Sequence, residues 1–222
     1  MGYTKMRLLY RRKIFERGIF YMDKQIKEQP LRLFIAIKLS EDLKSKLEEW
    51  REHYQQEFAF KTWTHREDYH ITLQFLGDVE PVRVPAISQK LQTIAHQFHP
   101  FKLKFGKAGI FGVGTSPKVL WAGVIDYNHM LNQLQEAVTI GMEEFGFVKE
   151  SRPYHPHITI ARKYTGNEPF QLDSVPSLLP QTALKGQEEG EAFWTINEFV
   201  LFSTHLHDRP MYEILESFRM ED

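Results

Sequence analysis

A two-lobed α+β protein, with two antiparallel sheets facing a central cleft and helices outside, is the fold class that this sequence predicts. Three observations point to it. Short β-rich runs alternate with amphipathic helical patterns; the tripeptide His-Ile-Thr occurs on two strand-like runs, HITLQFLG from residue 70 and HITIAR from residue 157, 87 residues apart; and no period of 20 to 50 residues signals a solenoid. The alternation reads as a duplication, with one motif in each copy.

Each element follows from local pattern. RLFIAIKL (32–39) is a short apolar run, and Ser40, Glu41 and Asp42 after it suit the start of a helix through capping and charge. Leu43, Leu47, Trp50 and Tyr54 then form one stripe at helical spacing, so these aromatics belong to the core. FKTWT and YHITLQFLGDV read as strands, and Val84, Ile87, Leu91, Ile94 and Phe98 line a second helix. FKLKFGKAGIF and VLWAGVI flank the turn-rich GVGTSPK as an antiparallel pair. A third helix over about 128–145 carries Leu131, Leu134, Val138, Met142 and Phe145 and stops at Gly146, a left-handed cap residue. HPHITIAR follows as a strand, 163–192 reads as mostly loop, and INEFVLFST with MYEILESF closes the chain as a hairpin around HLHDRP.

Composition narrows the function. The chain has 222 residues, 42% hydrophobic and 26% charged, which is globular rather than disordered or collagen-like. No apolar run approaches the roughly 18 residues of a membrane span, so no membrane partner is expected. With 28 basic and 29 acidic side chains the net charge is −1, and a polyanion would have to meet a local patch. Without cysteine there are no disulfides, thiol nucleophiles or thiolate metal sites; a reducing cytoplasm is the default expectation. Residues 1–21 are strongly basic and lack the apolar core of a secretory signal, so they read as an extension, disordered or left from cloning, before a single bilobal domain over 22–222.

On a strand, residues i and i+2 share a face, so His70 with Thr72 and His157 with Thr159 each form a polar pair, while Ile71, Leu73, Ile158 and Ile160 anchor the other face. One such unit is most simply a core histidine satisfied by a neighbour. Two units are different: with ten histidines, one such unit is expected by chance roughly 0.1 times, and two copies together only on the order of 0.005 times. Two imidazoles near their ordinary pKa can serve as general base and general acid on opposite sides of a phosphodiester, and the hydroxyls can donate to its non-bridging oxygens.

These units, with RLFIAI, VLWAGV, RPYHPHITIAR and LFSTHLHDRPMYEIL, resemble the two-histidine (2H) phosphoesterase superfamily over about Arg32 to Phe218. Within it, they are most similar to the RNA 2′,3′-cyclic phosphodiesterases, also called 2′-5′ RNA ligases. The resemblance implies a duplicated two-lobed 2H fold and a hydrolase needing no metal or other cofactor. It would open 2′,3′-cyclic phosphate ends of RNA or a nucleotide to a 2′-phosphate and could join 2′-5′ ends. It implies His70 as proton donor to the leaving 3′ oxygen, His157 as the base that activates water, and Thr72, Thr159 and Arg162 as phosphate-binding residues. A monomer is expected.

Arg162 conflicts with simple alternation, which sends it away from His157 and Thr159 unless the strand ends or twists near Ala161. Two further readings stay open. His155 with His157 and His205 with His207 are H-x-H pairs that could ligate a metal, and a non-catalytic module that binds RNA ends could keep the same fold. Phe34, Trp63, Tyr69 and Tyr154 lie near the motifs and are assigned to the core rather than to base stacking.

Overall fold

A computed structural model describes residues 29–177 and 193–222. The expectations for segment 1–21, for a domain beginning at Met22 and for 178–192 of the polar stretch lie outside the described residues. The elements are β1 (Leu31–Lys38), α1 (Glu41–Tyr54), β2 (Phe60–Trp63), β3 (His70–Val79), α2 (Val84–Ala95), β4 (Phe101–Val113), β5 (Ser116–Ile125), α3 (Met130–Glu143), β6 (His157–Tyr164), β7 (Phe193–Ile196), β8 (Glu198–Thr204) and β9 (Tyr212–Arg219). No helix among the described residues is long and apolar enough to cross a membrane.

Every strand pairing is antiparallel, in the order β7-β4-β5-β6-β3-β1-β8-β9, with β2 alongside β6. The two predicted lobes are its halves: β9, β8, β1 and β3 on one side, β6, β5, β4 and β7 on the other. A single residue pair, Ile71 with Ile158, joins them. Beyond that pair β3 and β6 part, and the central cleft opens there.

Local signals place most elements. Ser40 caps α1, its Oγ accepting the Leu43 N–H at 3.5 Å. Helix α3 ends two residues before its predicted end, and Gly146 takes φ +79° as the left-handed residue beyond it. Leu33, Ile35, Ile71, Leu73, Ile158 and Ile160 meet Leu43, Leu47, Ile87, Leu91, Leu134 and Val138 of the helices in one buried core. A smaller cluster, Phe34, Ala36, Val200 and Phe202, lies apart from it and has Tyr212 packed against it.

Two expectations change. The seven-residue GVGTSPK linker is mostly strand: β4 and β5 run to a two-residue turn, Gly114 and Thr115, because a tight hairpin pairs more backbone than a loop would. INEFVLFST is not one strand. Ile196 pairs with Phe101 in one half, Val200 pairs with Ala36 in the other, and the chain crosses between the halves at Asn197.

Candidate active site

The register of the junction brings the two motifs together. In antiparallel pairing, Ile71 opposite Ile158 puts His70 on the Thr159 side and His157 on the Thr72 side, related by an approximate two-fold axis through the isoleucines. His70, Thr72, His157, Thr159 and Arg162 all line one cavity of about 790 Å³.

The two strands also share an irregularity that simple alternation misses. Ala36 pairs with Thr72 but Ile35 pairs with Gln74, leaving Leu73 as an extra residue; Trp121 pairs with Thr159 but Leu120 pairs with Ala161, leaving Ile160 extra. Each is a β-bulge three residues after the histidine, and a bulge shifts the phase of the side chains that follow it. Leu73 and Gln74 are consequently both buried, as are Ile160 and Ala161, and the next residues, Phe75 and Arg162, emerge on the histidine side. The strand neither ends nor fails at Ala161. It continues to Tyr164, and the bulge directs Arg162 to the cavity, where its Nη2 donates to Thr159 Oγ1 at 3.4 Å.

Both imidazoles are held by the same device. His70 Nδ1 lies 2.7 Å from the carbonyl oxygen of Asp68, and His157 Nδ1 lies 2.8 Å from that of His155. A carbonyl only accepts, so each Nδ1 carries its hydrogen and each Nε2 is the nitrogen free to exchange a proton. His70 Nε2 is 3.1 Å from Thr72 Oγ1.

Their surroundings differ. The half-buried His70 ring sits among Phe34 at 4.9 Å, Tyr212 at 5.2 Å and Phe202 at 5.9 Å, and burial pushes its pKa down to about 4, against the raising effect of the Asp68 carbonyl bond. The charges of Arg162 and His157 push the same way. His157 lies edge-on to Phe111 at 4.8 Å and near Trp121 at 6.2 Å; burial again lowers its pKa, opposed by the His155 carbonyl bond and assisted by the charges of His155 and Arg162. Trp121 lies directly over Gly109, where an added Cβ would fall 2.2 Å from the indole ring.

Several residues that shape the cavity are not singled out by the sequence pattern. Tyr154, assigned to the core, packs against it and also lines the cavity, donating its hydroxyl to the Thr72 carbonyl at 3.0 Å and steadying the strand beside the motif. Phe34, also assigned to the core, is buried but forms a wall of the His70 box, whereas Tyr69 is buried and Trp63 packs on Trp50 as expected. Buried Asp68 accepts the Met211 N–H at 2.9 Å and the Tyr212 N–H at 3.1 Å, so one residue anchors both His70 and the start of β9, which presents Tyr212. Phe75 exposes 60% of its surface at the cavity. Its one sequence signal is that it and Arg162 stand five residues after their histidines.

Lys118, Lys149 and Arg152 also line the cavity, with Glu150 as the acidic exception, which supplies the local basic patch that net charge conceals. Of the H-x-H pairs, His155 and His157 share this cavity, while His205 pairs with Glu213 at 3.1 Å in the β8–β9 turn. Among the described residues, no three His, Cys, Asp or Glu side chains group as metal ligands.

Known proteins resemble this chain in sequence and in fold. The family described as LigT like Phosphoesterase matches residues 37–121 and 126–212, one segment around each motif. A Bacillus subtilis protein named RNA 2′,3′-cyclic phosphodiesterase is 37% identical over 162 residues, covering 73% of this chain and 82% of its own. A Geobacillus stearothermophilus protein of the same name is 35% identical over 185 residues, 83% of this chain; the chain spans only 56% of that relative's length. Among solved structures, E. coli LigT complexed with 3′-AMP superposes with a TM-score of 0.66 at 23% identity, covering 87% of this chain and 99% of its own. A Thermus thermophilus protein superposes with a TM-score of 0.68 at 24% identity, covering 86% and 98%. These two structures share the fold.

Proposed function

The chain belongs to the LigT-like phosphoesterase family, and from that premise we propose that it hydrolyses RNA 2′,3′-cyclic phosphate ends to 2′-phosphomonoesters, using two histidines and no metal. The observation that carries this reading is the approximate two-fold meeting of two H-x-T units at one cavity, each imidazole tethered at Nδ1 and offering Nε2. The activity itself is the one named for the relatives that are 35% and 37% identical.

With the cyclic phosphorus between the rings, His157 Nε2 removes a proton from water as its oxygen bonds to phosphorus. The bond from phosphorus to the 3′ oxygen breaks on the opposite side, and His70 Nε2 protonates that oxygen. Thr72 and Thr159 hydroxyls and the Arg162 guanidinium hold the non-bridging oxygens, where negative charge accumulates. Burial keeps His70 largely neutral in the free chain, so it takes up a proton from solvent as the substrate binds: an anionic diester against Nε2 favours the imidazolium. A ribose 5′-hydroxyl in place of water yields a 2′-5′ linkage by the same proton transfers.

The test is incubation of the purified chain with 2′,3′-cyclic AMP and with an RNA ending in a cyclic phosphate, each with EDTA, followed by ³¹P NMR. The expected product is the 2′-monophosphate at an undiminished rate. Activity lost to EDTA would transfer the reading to a His-ligated metallohydrolase, and binding without turnover to an RNA-end binding module.

A further inference from the structure

Charge is divided unequally around the cavity. Lys118 on β5, Lys149, Glu150 and Arg152 in the segment leading into β6, and Arg162 on β6 all line it, whereas β3 and β9, which line it around His70, contribute no Lys, Arg, Asp or Glu. The reaction itself calls for less cation than this. A cyclic phosphodiester is a monoanion, and Arg162 beside Thr159 answers that one charge. Lys118, Lys149 and Arg152 are left over.

All three are available to a ligand. Among the described residues neither lysine has an acidic partner. Arg152 Nη2 lies 3.5 Å from Glu150 Oε2, but the two side chains are 86% and 62% exposed, so water screens the pair and the guanidinium can exchange its partner. Lys118 precedes Val119, which pairs with Arg162, so it stands one residue along from the strand position opposite that arginine. The segment that carries Lys149 and Arg152 is fixed to the cavity wall at its far end: Tyr154 O–H donates to the Thr72 carbonyl at 3.0 Å, and the His155 ring stands edge-on to Trp121 at 4.7 Å. The cavity, about 790 Å³, lies in the upper part of the range of about 300–1,000 Å³ for sites that take one small ligand.

We propose that Lys118, Lys149 and Arg152 form a second anion subsite, which takes the phosphate on the 5′ oxygen of the nucleoside whose cyclic phosphate lies between the histidines. In an RNA chain that phosphate is the nearest other anion along the strand, and a 2′,3′-cyclic mononucleoside lacks it. The subsite therefore selects an RNA end over a cyclic nucleotide. Cations that meet phosphate position a strand without reading its bases, so the selection is for chain rather than for sequence. This inference rests on the phosphodiesterase reading.

The experiment measures kcat/KM on 2′,3′-cyclic AMP, on the same nucleotide with a 5′-phosphate, and on the dinucleotide ApA ending in a 2′,3′-cyclic phosphate. The parent is compared with the double variant Lys118→Gln, Lys149→Gln and with Arg152→Gln. The parent is expected to favour the dinucleotide over cyclic AMP by about tenfold at low salt, and the ratio to shrink as NaCl rises from about 0.05 to 0.5 M. The double variant is expected to bring the ratio close to one and Arg152→Gln to lower it by about threefold, each with the Tm of the parent. If the double variant does not fold, the single lysine variants carry the same readout. A 5′-phosphate that matches the dinucleotide supports recognition of the phosphate in either ester; a preference for the dinucleotide alone, lost in the variants, supports recognition of the internucleotide diester. A parent ratio of one overturns the subsite, and so does a preference that survives the substitutions, because the second nucleoside and not its phosphate would then be held. A parent that opens none of the three substrates refutes the hydrolase reading and the subsite with it, a different result from hydrolysis without preference.

Discussion

His70 and His157 hold the same place in two strand copies whose burial follows the same order for six residues, yet one ring stands in a box of Phe34, Phe202 and Tyr212 and the other beside a second histidine and Trp121. The backbone repeats: each histidine is tethered to the carbonyl two residues before it, and each strand bulges three residues after it. The side chains do not repeat. Each copy brings one imidazole to the shared cavity, and the residues around the two set which is drier, which has an arginine, Arg162, beside its threonine and which presents an aromatic ring through Phe75. In the proposed reaction that difference lets a symmetric pair divide the acid and base roles.

Removing either imidazole tests the pair most severely. His70→Ala and His157→Ala are each expected to lower kcat by about 10²- to 10⁴-fold while the circular dichroism spectrum stays that of the parent. A variant that opened a cyclic phosphate at the parent rate would end the acid–base assignment.

The positions after the bulges separate the copies further. Arg162→Ala is expected to lower kcat/KM by about 10- to 100-fold, much of it in kcat, because a charge-assisted contact that strengthens in the transition state is lost. Phe75→Ala is expected to cost about tenfold, in KM, because stacking holds substrate and transition state equally. Steady-state kinetics distinguish the two, and equal losses in kcat would show that the copies had not diverged as described.

Acidity gives the finest comparison. For the free protein, kcat/KM is expected to be bell-shaped with its acid limb near about 4, from His70, and its alkaline limb below 6.5, from His157; bound anion moves both limbs of kcat upward. An acid limb of kcat/KM at 6.5 would contradict the buried His70. Folding responds with a definite sign. The unfolded His70 binds protons below about 6.5 and the folded one only below about 4, so stability is lost as pH falls between those values, by at most about 3 kcal/mol. Urea unfolding at pH 7 and pH 4.5 is expected to show a smaller pH-dependent loss in His70→Gln than in the parent.

Residues whose behaviour follows from their own neighbourhood were legible in the chain alone: the apolar runs, the stripe from Leu43 to Tyr54, the Gly146 stop, and the doubled H-x-T that fixes both histidines and threonines to one face of a strand. Periodicity of two or 3.6 is a property of backbone geometry, and it is written locally. Whatever depended on a partner strand was not. The extra residues Leu73 and Ile160 are invisible until β1 and β5 are laid beside them, and they turn Arg162 and Phe75 toward the cavity against simple alternation. Asp68 meets Met211 and Tyr212 across more than 140 residues of chain, and the acidity of His70 comes from rings on β1, β8 and β9. Register, bulges and desolvation arise between segments remote in sequence, so only the assembled sheet could decide them.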